Sequence, residues 1–413
     1  MTIRRLAPGL LSCSILAAAA ALAAPQNPPP SPAPGPVAVE VRVHVTSEGR
    51  FLDDLKIEDF RLLEDGWEQQ VASLSLVRDG RVVRGEGGFT APTVPRSYTL
   101  LFQAVDWDPK LAGVIDYLFG SVLKPGDAMT LVTPFKPYRL QPDALAARSK
   151  DELAKGMEEV LRKDISRGSG EYRDLINDLK RLTKAISGGT SAFDEELATD
   201  PTMDAQGGIG LEMQMDRYRS TLMKLDGIRL VDENKLVAFA QSLRAFPGQK
   251  TVVLFYQREY RPEISAGTMN RLMALYQENF DILQNLMELF QFYKRETKFD
   301  AGRVQKAFAD ADIDFHFIFM EKKSQRVFGA TMREQSEDIF PGFVGVAKAT
   351  GGTAESSQNP AATFKHAADV SGEYYLLSYV PNSAAPPGVF RAIEVQVGRS
   401  GCEVTNRRGY FSR

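Results

Sequence analysis

The chain has 413 residues, with 50 Lys and Arg against 53 Asp and Glu, so its formal net charge is −3. This balance provides no strongly basic surface for nucleic acid. Two cysteines exclude a disulfide framework, a Cys-rich zinc module and an iron–sulfur centre. The three histidines, His44, His316 and His366, leave little for a histidine-built metal or catalytic centre. The length allows two to three domains.

Residues 1–24 have the pattern of a secretory signal peptide. Arg4 and Arg5 form a charged start, residues 10–24 are an uncharged run of 15, and the A-L-A ending is a small-x-small cleavage site. The run is shorter than the roughly 20 residues that cross a bilayer. We therefore predict an exported protein, periplasmic or extracellular, without membrane insertion after cleavage. An uncleaved anchor and lipidation at Cys13 are the alternatives.

Cleavage changes the charge and the cysteine count. It removes two arginines and no acid, so the mature chain has 48 basic against 53 acidic residues and a net charge of −5. The mature chain keeps one thiol, Cys402, which cannot form an internal disulfide and is expected to be half-buried. Residues 25–36 contain seven prolines and predict an extended linker.

Both flanks of the mature chain have the pattern of β-strands. Residues 37–45 alternate valine with other residues, and the N-terminal β segment is predicted over 37–80 with an Asp-Gly turn. His44 falls on the polar face of this strand and is expected to be solvated. Residues 372–413 contain three more strand-like runs and form the predicted C-terminal β segment. We therefore predict one small β unit drawn from both chain ends.

Residues 97–371 have a different pattern, in which apolar strands alternate with helices. The predicted strands cover 97–104, 126–133, 251–256 and 314–320. Strands that alternate with helices predict an α/β fold with a doubly wound, mostly parallel sheet covered on both faces. His316 lies between two phenylalanines and is expected in the core.

Two helical insertions interrupt this pattern, at about 144–245 and 262–298. The second is predicted as one long helix over 266–298, rich in Met, Leu and Phe on more than one face. Such a helix must bury two sides. It either packs against the helices of the first insertion or provides a surface for a partner or for self-association.

The usual catalytic motifs are missing from the sequence. There is no P-loop, no G-x-G-x-x-G after a strand, no H-E-x-x-H, no C-x-x-C and no G-x-S-x-G. We therefore predict that the protein is not an enzyme and has no cofactor.

Three stretches, taken in order, resemble a known family. The first, residues 55–69, contains L-x-x-x-D-F followed by E-D-G, and the second, residues 349–353, reads A-T-G-G-T. The third is the C-terminal ending, with Y-L-L-S-Y-V-P at 375–381 and R-G-Y at 408–410. This order resembles the exported VWFA-related (von Willebrand factor A-like) domain proteins of acidobacterial type. The resemblance covers most of residues 37–413 outside the insertions and implies a von Willebrand A-like fold with β flanks.

That resemblance implies a metal-ion-dependent adhesion site, in which D-x-S-x-S and a later Asp bind Mg²⁺ through oxygen atoms. Here Gln103, Val105 and Trp107 occupy the first three ligand positions, and Gln257 replaces the later Asp. An amide, a valine and an indole do not hold Mg²⁺. The resemblance therefore implies a degenerate site without a metal.

The predicted function is protein binding or adhesion by an exported, non-enzymatic module without a bound metal. The predicted contact residues follow two strands at the edge where open α/β sheets bind ligands: Asp106, Trp107, Asp108, Arg258, Glu259 and Tyr260. In an alternative interpretation, Asp106, Asp108 and Glu259 together form a cation site in a shifted geometry. The rival function is self-association through residues 262–298. An enzymatic function would require the histidines to cluster with Asp or Glu.

Overall fold

The structure is a computed structural model that describes residues 38–87, 93–140, 142–188, 203–295, 299–383 and 385–413. The predicted signal peptide, Cys13 and the proline-rich linker lie outside the described residues. Within the described ranges, no helix has both the length and the apolar character needed to cross a membrane.

The elements follow one another in a β–α/β–β order. The strands are β1 (Val39–Ser47), β2 (Arg50–Phe51), β3 (Phe60–Glu64), β4 (Trp67–Gln69), β5 (Val71–Arg78), β6 (Arg81–Gly87), β7 (Arg96–Gln103), β8 (Ala128–Val132), β9 (Pro137–Leu140), β10 (Gln249–Gln257), β11 (Tyr260–Ile264), β12 (Ile313–Met320), β13 (Ala330–Glu334), β14 (Ala354–Ser357), β15 (Glu373–Tyr379), β16 (Phe390–Val397), β17 (Cys402–Asn406) and β18 (Gly409–Phe411). The helices are α1 (Leu111–Tyr117), α2 (Pro142–Ala147), α3 (Lys150–Gly168), α4 (Gly170–Ile186), α5 (Met203–Arg229), α6 (Glu233–Arg244), α7 (Ala266–Leu275), α8 (Phe280–Tyr293), α9 (Ala301–Asp310), α10 (Phe340–Thr350) and α11 (Pro360–Gly372).

The flanking β unit is built from both ends of the chain, as predicted. Strand β1 pairs antiparallel with β15 and β17, and β16 pairs with β3. The alternating valines of β1 place Val41, Val43 and Val45 in the core of this unit. Asp65 and Gly66 both have positive φ between β3 and β4, which is the backbone of a type I′ hairpin turn and explains the Asp-Gly pair. Cys402 is half-buried, as predicted.

The central sheet confirms a mixed α/β fold. Its strand order is β14-β12-β10-β7-β8-β9, and β9 alone in this order runs antiparallel to its neighbour. Helices α1, α3 and α11 pack on the face that carries Phe102 and Phe255. Helices α6, α9 and α10 pack on the opposite face, which carries Leu101 and Leu254. Successive side chains of β7 and β10 therefore point alternately into the two cores on either face of the sheet.

The predicted helical insertions do not form a single body. Helices α3 and α6 cover the central sheet, whereas α4, α5, α7 and α8 share a third core. The prediction of one long helix over 266–298 was wrong, because α7 ends at Leu275 and Asn279 starts α8 by accepting hydrogen bonds from two backbone amides. Residues 262–264 belong to β11, which pairs with β13 in a ribbon that the sequence did not predict.

Candidate binding pocket at the carboxyl edge of the central sheet

The predicted contact residues lie where β7 and β10 end, but only two of them line the pocket at this edge. Asp106 and Tyr260 line a cavity of about 240 Å³ together with residues of α4 and of the segment after β12. Trp107 is instead packed against the core on the α1 face of the sheet. The Asp108 carboxylate accepts a hydrogen bond from the Lys110 amide, 3.0 Å away, in the turn before α1.

Arg258 and Glu259 are held by other side chains and do not line this pocket. Glu259 is 2% exposed, and its Oε2 atom lies 2.8 Å from Nε of Arg229 on α5. Arg258 pairs with Glu334 at 3.1 Å and lies over the ring of Phe319. The prediction that Glu259 contacts a partner was therefore wrong, because this carboxylate is buried in an internal ion pair.

A neutral amide shapes the loop after β7. The Oε1 atom of Gln257 accepts hydrogen bonds from the amides of Val105 and Asp106, at 3.0 and 2.9 Å, and its Nε2 donates to the Asp106 carbonyl at 3.2 Å. Gln257 is 5% exposed, so these bonds are shielded from water. Gln103, at the end of β7, is half-buried. The amide of Gln257 thus joins β10 to the loop that carries Asp106.

The carboxylates of the alternative cation site have separate partners. Asp106 pairs with Lys322, Asp108 binds a backbone amide, and Glu259 pairs with Arg229. Among the described residues, no group of three or more His, Cys, Asp and Glu is arranged to hold a metal ion.

Cationic side chains dominate the pocket. Arg173 and Lys180 reach it from α4, and Lys322 and Lys323 follow β12, while Asp106 is the carboxylate in its lining. Lys180 donates to the Gln325 side chain at 2.7 Å. Burial lowers the pKa of Lys180, and the nearby charge of Lys322 lowers it further, against the opposing effect of Asp106. The lysines therefore repel one another, and an added anion would relieve that repulsion.

These four cations were not predicted from the sequence. Lys322 and Lys323 could have been noticed, because they directly follow the fourth predicted strand and must emerge at the same edge as Asp106. Arg173 and Lys180 gave no such signal, because nothing local in α4 indicates that this helix folds back over the edge of the sheet.

The histidines differ in environment. His316 is fully buried, as predicted, and its ring nitrogens lie 2.9 Å from the Thr353 hydroxyl and 2.7 Å from the Ser371 hydroxyl. Burial lowers the pKa of His316 to about 3, so it stays neutral near pH 7. His44 was expected to be solvated, and the structure shows it half-buried. Its Nδ1 atom lies 2.8 Å from the Glu373 carbonyl, and burial lowers its pKa. His44 and His366 line one cavity remote from the carboxyl edge, together with Asp79, Asp369 and Glu373, so two of the three histidines do lie among acidic residues.

Comparisons with known proteins do not identify a family. No family model matches the chain, and no curated protein matches it. Among solved structures, the chain is similar to the human COPII-coat protein Sec24c, at 6% sequence identity and a TM-score of 0.30, over 78% of this chain and 44% of that one. The chain therefore spans less than half of that structure, and so low a score supports no conclusion about function.

The resemblance to the VWFA-related family was therefore wrong as an identification. No family model supports it, and the central sheet is mixed, with β9 antiparallel at its edge. The comparisons therefore give no support for an adhesion site in which the metal ligands are replaced by Gln103, Val105, Trp107 and Gln257. Val105 and Gln257 belong to a hydrogen-bonded loop, and Trp107 packs against the adjacent core.

Proposed function

We propose that the protein is an exported, non-enzymatic binding module that holds an acidic side chain of a protein partner at the carboxyl edge of its central sheet. Export is proposed from the signal-like pattern of residues 1–24. The observation that carries the binding proposal is the excess of four cationic side chains over one carboxylate in the pocket of about 240 Å³. No metal is needed, because the ammonium and guanidinium groups supply the positive charge.

The contacts of the pocket support an incoming carboxylate rather than an incoming cation. Asp106 already pairs with Lys322, so it leaves the charges of Arg173, Lys180 and Lys323 available. Lys323 is exposed and Lys180 is half-buried, and both line the same cavity. Charge-assisted hydrogen bonds from such groups to a carboxylate are about twice as strong as neutral ones. Tyr260 and Met332 supply an apolar wall against which the stem of a Glu side chain can pack.

A labelled acidic peptide tests this function. We expect a decapeptide of alternating Asp and Glu to bind the protein, and binding to weaken with added salt because exposed charges are screened. The Lys180→Gln/Lys323→Gln variant should bind at least about tenfold more weakly, the equivalent of one charged hydrogen bond. Fluorescence anisotropy measures both effects.

The matched control is Lys155→Gln/Lys163→Gln, which removes two exposed lysines of α3 away from the pocket. It should leave the affinity unchanged. Equal binding of an Asn/Gln version of the peptide, or an equal loss in the control variant, would contradict the proposed function.

Self-association is the second candidate, and the exposed face of α8 favours it. Phe280, Met287 and Phe290 are 75%, 60% and 53% exposed, and their spacing places them on one face of the helix. Asp281 lies in the first turn of α8, and Lys294 directly follows its last turn. Two antiparallel copies of α8 that pack through this apolar face would bring the acidic first turn of each helix near the Lys294 end of the other, which is the self-complementary arrangement of a two-fold dimer.

Light scattering after size exclusion tests this candidate on the chain without residues 1–24. We expect a dimer at about 100 μM protein, and a monomer for Met287→Ser/Phe290→Ser because the substitutions remove the apolar contact area. The control is Trp67→Ser, which removes a residue that is 77% exposed on the β unit. A wild-type monomer at the highest concentration, or dissociation caused equally by Trp67→Ser, would eliminate this candidate.

A further inference from the structure

A second cavity, of about 600 Å³, lies between the flanking β unit and the amino end of the central sheet. Strand β1 contributes His44, β7 contributes Tyr98, α1 contributes Tyr117, and α11 contributes His366 and Asp369. Its volume is within the range of small-molecule sites. The proposed partner-binding pocket lies at the opposite, carboxyl ends of the same strands, so that function does not use this cavity.

The charged groups that line the cavity are mostly carboxylates. The lining contains three acidic residues, Asp79, Asp369 and Glu373, and one arginine, Arg78. Arg78 is already engaged, since it lies 2.7 Å from an oxygen of Asp53 and 3.0 Å from an oxygen of Glu373. The lining therefore carries an excess of negative charge.

The ion-pair partners behind the lining do not cancel this excess. Asp79 lies 3.4 Å from Arg96 and 4.0 Å from Lys124, but Arg96 also binds Asp127 at 2.6 Å. With these partners included, the balance is five acids against three bases: Asp53, Asp79, Asp127, Asp369 and Glu373 against Arg78, Arg96 and Lys124.

The two histidines of the lining do not reverse this balance. His44 is neutral near pH 7, because burial lowers its pKa. His366 is paired with Glu355, so whichever protonation state it has, that pair adds no net positive charge. The negative excess therefore remains.

Two polar groups of the cavity are left without a good partner. Tyr98 is 4% exposed and lines the cavity, and its hydroxyl has no hydrogen-bond partner within the part of the chain that the structure describes. Asp369 is exposed, and the bond it accepts from the Tyr117 hydroxyl is long, at 3.5 Å. The Tyr98 hydroxyl therefore reaches the open space of the cavity, where water or a ligand can hydrogen-bond to it.

We propose that this cavity binds a small organic cation, such as a diamine or a guanidinium compound. Asp369 and Asp79 attract the charged group, and the rings of Phe51 and Tyr117 receive the hydrocarbon part and the cation itself. The Tyr98 hydroxyl gives the ligand a further polar anchor in the lining.

Calorimetric titration of the full-length protein tests the proposal with defined probes. We expect putrescine or arginine to bind with a submillimolar Kd, and succinate and glucose not to bind. Asp369→Asn should weaken the binding of the cation at least about tenfold, the loss expected for one charged hydrogen bond. Tyr98→Phe keeps the buried ring and should weaken binding several-fold. Asp174→Asn, at an exposed acid of α4, is the matched control and should change nothing.

Three outcomes would overturn the proposal: no binding of either cation at millimolar concentration, equal binding of succinate or glucose, or equal affinities of Asp369→Asn and Asp174→Asn. Asp369 is exposed on α11, so its substitution leaves the core intact and the result interpretable. The acidic-peptide experiment reports on the carboxyl edge, so either proposal can fail without the other.

Discussion

Glu259→Ala should lower the free energy of unfolding by about 3–5 kcal/mol, because it leaves a buried arginine without its counter-charge. The side chains of Glu259 and Arg229 are only 2% and 5% exposed, and their charged atoms are 2.8 Å apart. Burial by itself lowers the pKa of Arg229, but the Glu259 carboxylate more than offsets this, so the pKa is raised and the arginine stays charged. Urea denaturation followed by circular dichroism measures the loss.

The double variant Arg229→Met/Glu259→Leu distinguishes a stranded charge from lost packing. It removes both charges while it keeps similar volumes, and it should be within about 1 kcal/mol of the wild type or more stable. A loss as large as that of Glu259→Ala would show that the shape of this contact matters and not its charge. A single variant that loses less than about 1 kcal/mol would contradict the prediction outright.

Arg42→Ala should cost about 3 kcal/mol, because Arg42 joins the flanking β unit to the central sheet. From β1 its guanidinium lies 3.0 Å from a carboxylate oxygen of Asp312 and 3.3 Å from one of Asp314, at the start of β12. Its side chain is 9% exposed. In the variant these two carboxylates remain close together and repel each other. Arg407, which lies 3.5 Å from Asp312, offsets only part of this repulsion.

The loss of unfolding free energy caused by Arg42→Ala should be smaller at low pH than at neutral pH. Burial raises the pKa of Asp312, but Arg42 and Arg407 outweigh burial and lower it. A carboxyl group with a lowered pKa stabilises the fold above its unfolded pKa, and this stability is lost as the pH falls through the folded pKa. The difference between wild type and variant should therefore be larger at pH 7 than at pH 3.

The control for Arg42 is Arg61→Ala, which breaks the Arg61–Glu68 pair between side chains that are 58% and 60% exposed. It should cost no more than about 1 kcal/mol, because solvent screens an exposed pair. Equal losses in Arg42→Ala and Arg61→Ala at pH 7 would contradict the assigned role of Arg42.

Much of the framework could be predicted because strand burial leaves a local pattern. Alternating valines predicted β1, the Asp-Gly pair predicted the β3–β4 turn, and apolar runs predicted β10 and β12 to within a few residues. Several short or amphipathic elements were missed, among them β9, β11, β13, β14 and α11. The break before Asn279 was also missed, because the apolar pattern continues through it and the cap is a hydrogen-bonding feature that hydrophobicity does not reveal.

Only part of the candidate site could be predicted. The ends of the apolar strands predicted that the candidate residues meet at one edge, and Asp106 and Tyr260 line a pocket there. The chemistry of the pocket was not identified, because Lys180 meets Gln325 across 145 positions of sequence. Glu259 looked available in the sequence, but Arg229, 30 positions earlier, covers it.

The sequence by itself determined the scarcity of cysteine and histidine, the alternation of apolar and polar residues in each strand, and the near balance of charge. These properties belong to single residues or to near neighbours, so no folding is needed to see them. The tertiary structure decided which charges are paired and which are left to face a cavity. That outcome depends on which distant elements meet. Glu259 is a buried ion-pair partner because Arg229 lies beside it, whereas Asp369, beside Tyr117, faces the cavity proposed to bind a cation.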